Sequence, residues 1–190
     1  MPFSSEHLIT RLQTLATLLD RFAEATGRII AWLTLGMVLI TFSVVILRYL
    51  FQTGSIALQE SVTYLHASVF MLGAAYTLKH DGHVRVDIMY QRFTPRTRAW
   101  VDLLGTLLLL FPVCLYIFFS SLEYVSASWS MLEGSREAGG LDGVFLLKTA
   151  IPVMAILLLL QGCSIILHKL LLLAGHPVAG DPGSNPHRED

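Results

Sequence analysis

The stretch "IIAWLTLGMVLITFSVVILRYLF", Ile29 to Phe51, decides the architecture. Its one charged residue is Arg48, and as a helix it reaches roughly 34 Å, enough to cross the hydrocarbon core of a bilayer. A helix apolar on every side belongs in lipid or deep inside a large protein, and a chain of 190 residues has no interior to hide several of them. Three more such runs follow: "ALQESVTYLHASVFMLGAAYTL", "VDLLGTLLLLFPVCLYIFFSSL" and "LLKTAIPVMAILLLLQGCSIILHKLLLL". The pattern predicts an all-α integral membrane protein with four transmembrane helices, at 29–51, 57–78, 101–122 and 146–173.

Composition agrees. Hydrophobic residues make up 54 % of the chain and charged ones only 14 %, against about a quarter in soluble domains. A net charge of −1 gives no electrostatic footprint for nucleic acid. The cysteines, Cys114 and Cys163, both lie within apolar runs and form no CxxC or CxxxC pair. They read as small packing residues rather than redox groups.

Lysine and arginine set the orientation. Arg11, Arg21 and Arg28 precede the first span, and Lys79, Arg85, Arg92, Arg96 and Arg98 lie between the second and third. The first connection, "QTGSI", has none, and the third has Arg136 with Lys148 at its edge. The expected topology is N-in/C-in. Residues 1–28 place Leu8, Leu12, Leu15, Leu19 and Phe22 on one stripe, with Ser4 or Ser5 as a cap. This predicts an amphipathic helix on the cytoplasmic interface or on a partner, ahead of the 29–173 transmembrane domain. It does not read as a cleavable signal peptide, because the apolar run behind it is too long. The Gly- and Pro-rich segment 174–190 reads as a disordered cytoplasmic tail.

Ionisable groups within spans call for an explanation. Arg48 lies about 29 Å along the first helix and Glu60 about 5 Å into the returning second. An ion pair between them at the periplasmic border is expected, the alternative being that Arg48 snorkels to headgroups while Glu60 faces water. Along the second helix Ser61, Ser68 and Ala75 recur every seven residues, which allows close backbone approach in lipid. Gln161 and Pro112 predict an interhelical hydrogen bond and a kink. His66, near mid-span, is expected to pack and hydrogen-bond against a neighbouring helix. A haem would need a second histidine at the same depth, and His168 sits closer to the cytoplasmic end.

The polar stretch "KHDGHVRVD", Lys79 to Asp87, carries His80 and His83 as HxxH, but no further ligands at a fixed spacing. No metal, cofactor or catalytic residue is assigned. Gly82 is expected to make the turn at the helix end. Lys79, Arg85, Arg92, Arg96 and Arg98 are expected at lipid phosphates, with Asp87 accepting bonds from Arg85 or nearby backbone. No span has the repeated polar stripe of a pore. No Ser–His–Asp set, HExxH or phosphate-binding glycine loop is present, so an enzyme is disfavoured.

Read together, "QESVTYL" with Glu60 and Tyr64, "LGAAYTLKHDG", "HVRVD" (His83, Arg85, Asp87), "RAWVDLLG" and "LLKTAIPVMAILLLLQG" resemble the small membrane subunit, DctQ-like, of tripartite ATP-independent periplasmic (TRAP) transporters. The resemblance covers roughly residues 28–172. It departs where the family often has a tryptophan and paired acids, here Ala57, Gln59 and Glu60. It departs again where Glu133, Gly134 and Ser135 rearrange a Gly–Glu–x–Ser stretch and Phe145 stands for a later aromatic. The resemblance implies a non-catalytic scaffold in the bacterial inner membrane, partnered by membrane lipids and by a large membrane subunit that carries the substrate and sodium sites. A periplasmic solute-binding protein would deliver the solute, often a carboxylate. The alternative is a haem- or quinone-anchoring subunit of a respiratory complex.

Overall fold

The first apolar run does not start a helix of its own. In the computed structural model, which describes residues 3–83, 90 and 92–176, helix α1 runs unbroken from Phe3 to Tyr49. The expected boundary at residue 28 falls inside it. Nothing between Glu6 and Arg28 breaks the helix: that segment has no proline, and its one glycine is Gly27. Its threonines turn their hydroxyls back onto the helix, as Thr10 does to the Glu6 carbonyl at 2.9 Å.

Helix α2 (Ile56–Leu72) is capped by Ser55, whose hydroxyl accepts from the Leu58 N–H at 3.4 Å. Helix α3 (Ala74–Lys79) continues it past Gly73. The Gly73 N–H bonds to the Val69 carbonyl and the Gly73 carbonyl accepts from Thr77, so the ladder carries through. The third predicted span comprises α4 (Pro95–Gly105), a π-helical turn (Thr106–Leu110) and α5 (Phe111–Ser130). Pro112 explains the π turn: it has no N–H for the Leu108 carbonyl and its ring would crowd that carbonyl, so the helix widens just before it. Helix α6 (Val144–Leu173) is the longest element after α1 and contains Pro152.

Helix α6 is the axis of the bundle. Helices α1, α2 and α3 pack on one side of it, and α4, the π turn and α5 on the other. Most of its buried residues are small or polar, Ala150, Ala155, Gln161, Gly162, Ser164 and His168 among them, with Leu157 and Leu171 the bulky exceptions. In lipid, helices gain by close packing and interhelical hydrogen bonds rather than by expelling water. Among the described residues there is no strand, and three helices are long and apolar enough to cross a membrane: α1, the α4–α5 run and α6.

The helix ends repeat one device. At the end of α3 the Gly82 N–H reaches the Thr77 carbonyl (2.9 Å) and the Asp81 N–H the Leu78 carbonyl (3.3 Å). Paired bonds of this kind need a left-handed residue just after the cap. That residue is Asp81, at φ 53°, not Gly82, because aspartate is among the few side chains that tolerate the conformation. Leu132 and Gly175 do the same after α5 and α6, at φ 45° and 83°.

Candidate functional site

With neither a catalytic constellation nor a cluster of three or more His, Cys, Asp or Glu able to hold a metal among the described residues, the polar chemistry falls into two sets of ties, one at each end of the bundle.

At one end the connection between α5 and α6, residues 131–143, folds back over the start of α2. Glu60 anchors it. Its carboxylate accepts from the Ser135 hydroxyl and from the Leu141 N–H, the latter at 2.7 Å. The connection is tight here, since a Cβ on Gly140 would lie 2.3 Å from Ser135 Oγ and 2.7 Å from Glu60 Oε2. Tyr64, one turn on, places its ring against Gly143. A second acid, Glu133, takes the Lys148 ammonium and the Ser128 hydroxyl, the latter at 2.7 Å. The lysine and the serine hold its carboxyl below the usual carboxylate range against the opposing effect of burial. Lys148 also lies over the Tyr124 ring at 4.0 Å. Trp129 donates to Thr149 Oγ1 at 2.9 Å and meets Phe145 edge-on at 4.7 Å.

The expected Arg48–Glu60 pair is not formed. Arg48 is exposed at the end of α1, and both oxygens of Glu60 are taken by the 131–143 connection. Backbone N–H and hydroxyl donors fixed in a tight loop satisfy a carboxylate without ordering a long arginine side chain. Glu60→Gln is expected to raise the rate of tryptic cleavage after the exposed Arg136 roughly fivefold, the factor carried by one ordinary hydrogen bond. An unchanged rate would remove Glu60 as the anchor.

At the other end α1 is tied to α6 and α3. Asp20 accepts from Ser164 Oγ at 2.6 Å, His168 Nε2 at 2.8 Å and Gln161 Nε2 at 3.3 Å. Ser164 is fully buried, and Gln161 and His168 nearly so. One turn along α1, Glu24 bonds Lys79 Nζ at 2.8 Å and His80 Nε2 at 2.9 Å, and the Tyr76 ring lies tilted against His80, with centroids 4.4 Å apart. Across α6, Lys169 Nζ lies 3.4 Å from Asp102, which also accepts from the Tyr90 hydroxyl.

Of the expected assembly residues, Gln161 does bridge two helices, to Asp20. Ser61 and Ser68 turn their hydroxyls onto the Leu58 and Tyr64 carbonyls, and Ala75 is buried. Lys79, expected at lipid, is occupied by Glu24. Arg98 bonds the Tyr90 carbonyl at 3.1 Å, while Arg92 and Arg96 are exposed, as is His83. His66, expected to bond a neighbouring helix, instead lies exposed on the outer face of α2. Arg85 and Asp87, and the contact assigned to them, lie outside the described residues. Asp20 was missed because an acid in an amphipathic segment reads as its solvated face. The available signal was Ala16, Ala23 and Gly27, small residues that share a helical face with it.

Residues 37–172 match the family model described as "Tripartite ATP-independent periplasmic transporters, DctQ component". No curated protein and no solved structure matches the chain.

Proposed function

Because the chain belongs to the DctQ-component family of tripartite ATP-independent periplasmic transporters, we propose that it is the non-catalytic scaffold subunit of a sodium-coupled importer of a small organic solute. The solute class we propose is a carboxylate. The carrying observation is how the bundle uses its polar groups. Asp20, Gln161, Ser164 and His168 close on one another between helices, and Glu60 and Glu133 close a connection. Such groups rigidify a body rather than offer a path to a solute.

In this reading the chain crosses the bacterial inner membrane four times, N-in/C-in, with α2 and α3 together as the second span. Helix α2 alone is short, but with α3 it extends about 36 Å by helical rise, and its ladder is continuous through Gly73. The 131–143 connection then faces the periplasm, with Arg136, Glu137 and Asp142 exposed toward a solute-binding protein. A large membrane subunit carries substrate and sodium. No observation favours haem anchoring: His66 faces outward and His168 is bonded to Asp20.

The test is co-purification with a large, many-span membrane protein, followed by sodium-dependent uptake into vesicles. Removing this chain is expected to cut uptake at least tenfold. Undiminished uptake by the large subunit alone would refute the scaffold role.

A further inference from the structure

We propose that the outward face of α2, marked by Gln59, Thr63 and His66, is the seam on which one transmembrane helix of the large membrane subunit packs. This rests on the scaffold reading above and specifies where the partner docks.

Ile56, Gln59, Thr63, His66 and Phe70 are all exposed. They recur at steps of three and four, so they form one narrow stripe on α2. The stripe lies opposite Ser61, Ser68 and Ala75, the side on which α2 meets its own bundle. Steps of three and four are also the repeat by which two long helices pack along a shared seam.

The chemistry of the stripe is what calls for a protein partner. The side chains of Gln59, Thr63 and His66 have no hydrogen-bond or ionic partner among the described residues. Ser61 and Ser68 on the same helix satisfy themselves on their own backbone; Thr63 does not. His66 lies about 15 Å from the start of α2 and about 20 Å from the end of α3 by helical rise, near the middle of the bilayer in the proposed topology. Lipid tails offer no hydrogen-bond partner at that depth, and polar side chains there serve helix association. The outer faces of α1 and of the π turn and α5 are mainly apolar: Trp32, Leu35, Leu108 and Val113 are exposed there, and the exposed Thr34 and Tyr116 stand singly rather than in a polar stripe. A shallow apolar cleft between α1 and α2, lined in part by Val45 and Val62, runs beside the stripe and gives the partner's apolar side chains a place to seat. The partner helix is therefore expected to carry a hydroxyl, amide or carboxyl group facing His66, within an otherwise apolar sequence.

The test uses the full chain co-expressed with the large subunit. A photoreactive phenylalanine is placed at position 66 or 70, and for comparison at position 108 or 116 on the opposite outer side. Separately, His66→Leu is assayed for recovery of the complex; because the side chain is exposed and unbonded, the variant leaves the fold of this chain intact. The seam predicts adducts to the large subunit from 66 and 70 and none from 108 and 116, with at least a fivefold drop in complex recovered for His66→Leu at equal membrane levels. Recovery of the wild-type complex with adducts from 108 or 116 instead, with adducts joining two copies of this chain, or with His66→Leu recovered undiminished would overturn the seam and leave the scaffold reading standing. If the wild-type chain recovers no large membrane subunit at all, the scaffold reading falls and takes the seam with it.

Discussion

Asp20→Ala is expected to destabilise the purified subunit by about 3 kcal/mol, on the order of 10 °C in thermal unfolding in detergent. The carboxylate is the common acceptor for Ser164, Gln161 and His168. These three are almost entirely shielded, so its removal leaves buried donors unmatched. Losing a charged acceptor costs about 1.5–3 kcal/mol per bond, but the three losses will not add, because Ser164 keeps a contact to the Ala16 carbonyl at 3.3 Å and Asp20 itself is partly exposed. Asp20→Asn, which retains one acceptor oxygen, should cost about half as much. A double-mutant cycle with His168→Ala tests the mechanism, since residues in one network couple and independent ones add. Strict additivity, or an Asp20→Ala protein melting with the wild type, would show that α1 is held to α6 by packing alone.

This cluster also marks where a linear reading stops. The apolar runs from Ile29, Val101 and Leu146 were legible because a bilayer imposes a length and a composition on any helix that crosses it. A polar residue inside a long apolar run stands out, so Gln161 was recognised as a bridge. Its acceptor was not, because Asp20 lies in a segment where charge is unremarkable, about 140 residues away. Glu60 failed differently. It does lie near a connection, but its partners are a hydroxyl and a backbone N–H supplied by a loop whose fold depends on the whole bundle. An arginine of opposite charge is visible in sequence; a backbone donor is not. Asp81 shows the same limit at the scale of one turn. Glycine is the usual left-handed residue after a helix, so the turn is expected at Gly82. The choice went to Asp81 because the bond from Gly82 to Thr77 fixes which residue must turn.

Gly27→Ala should be nearly as damaging as loss of Asp20, by a steric route. A Cβ at position 27 would lie 2.2 Å from Cδ2, 2.3 Å from Cγ and 2.7 Å from Cβ of Tyr76. These atoms are at the root of the side chain, so rotating the ring cannot clear them and α1 must move away from α3. That movement pulls on the neighbouring bonds from Glu24 to Lys79 and His80 and on the tilted ring contact of Tyr76 with His80. Overpacking of this kind costs about 1–3 kcal/mol, and the upper end applies where backbone must shift. Two other glycines calibrate the result. At Gly36 the nearest atom to an added Cβ is Leu65 Cδ1 at 3.9 Å, and at Gly105 nothing lies within 4 Å. Gly36→Ala and Gly105→Ala should therefore each gain up to about 1 kcal/mol from helix propensity. The decisive variant is Gly27→Ala combined with Tyr76→Ala. If contact between the two side chains is the cause, emptying the ring position relieves the part due to Cγ and Cδ2 while the contact to the Cβ that alanine keeps remains, and the double variant is more stable than the sum of the single losses. A double variant that simply sums the two would mean that the Tyr76 ring is not what the new methyl displaces.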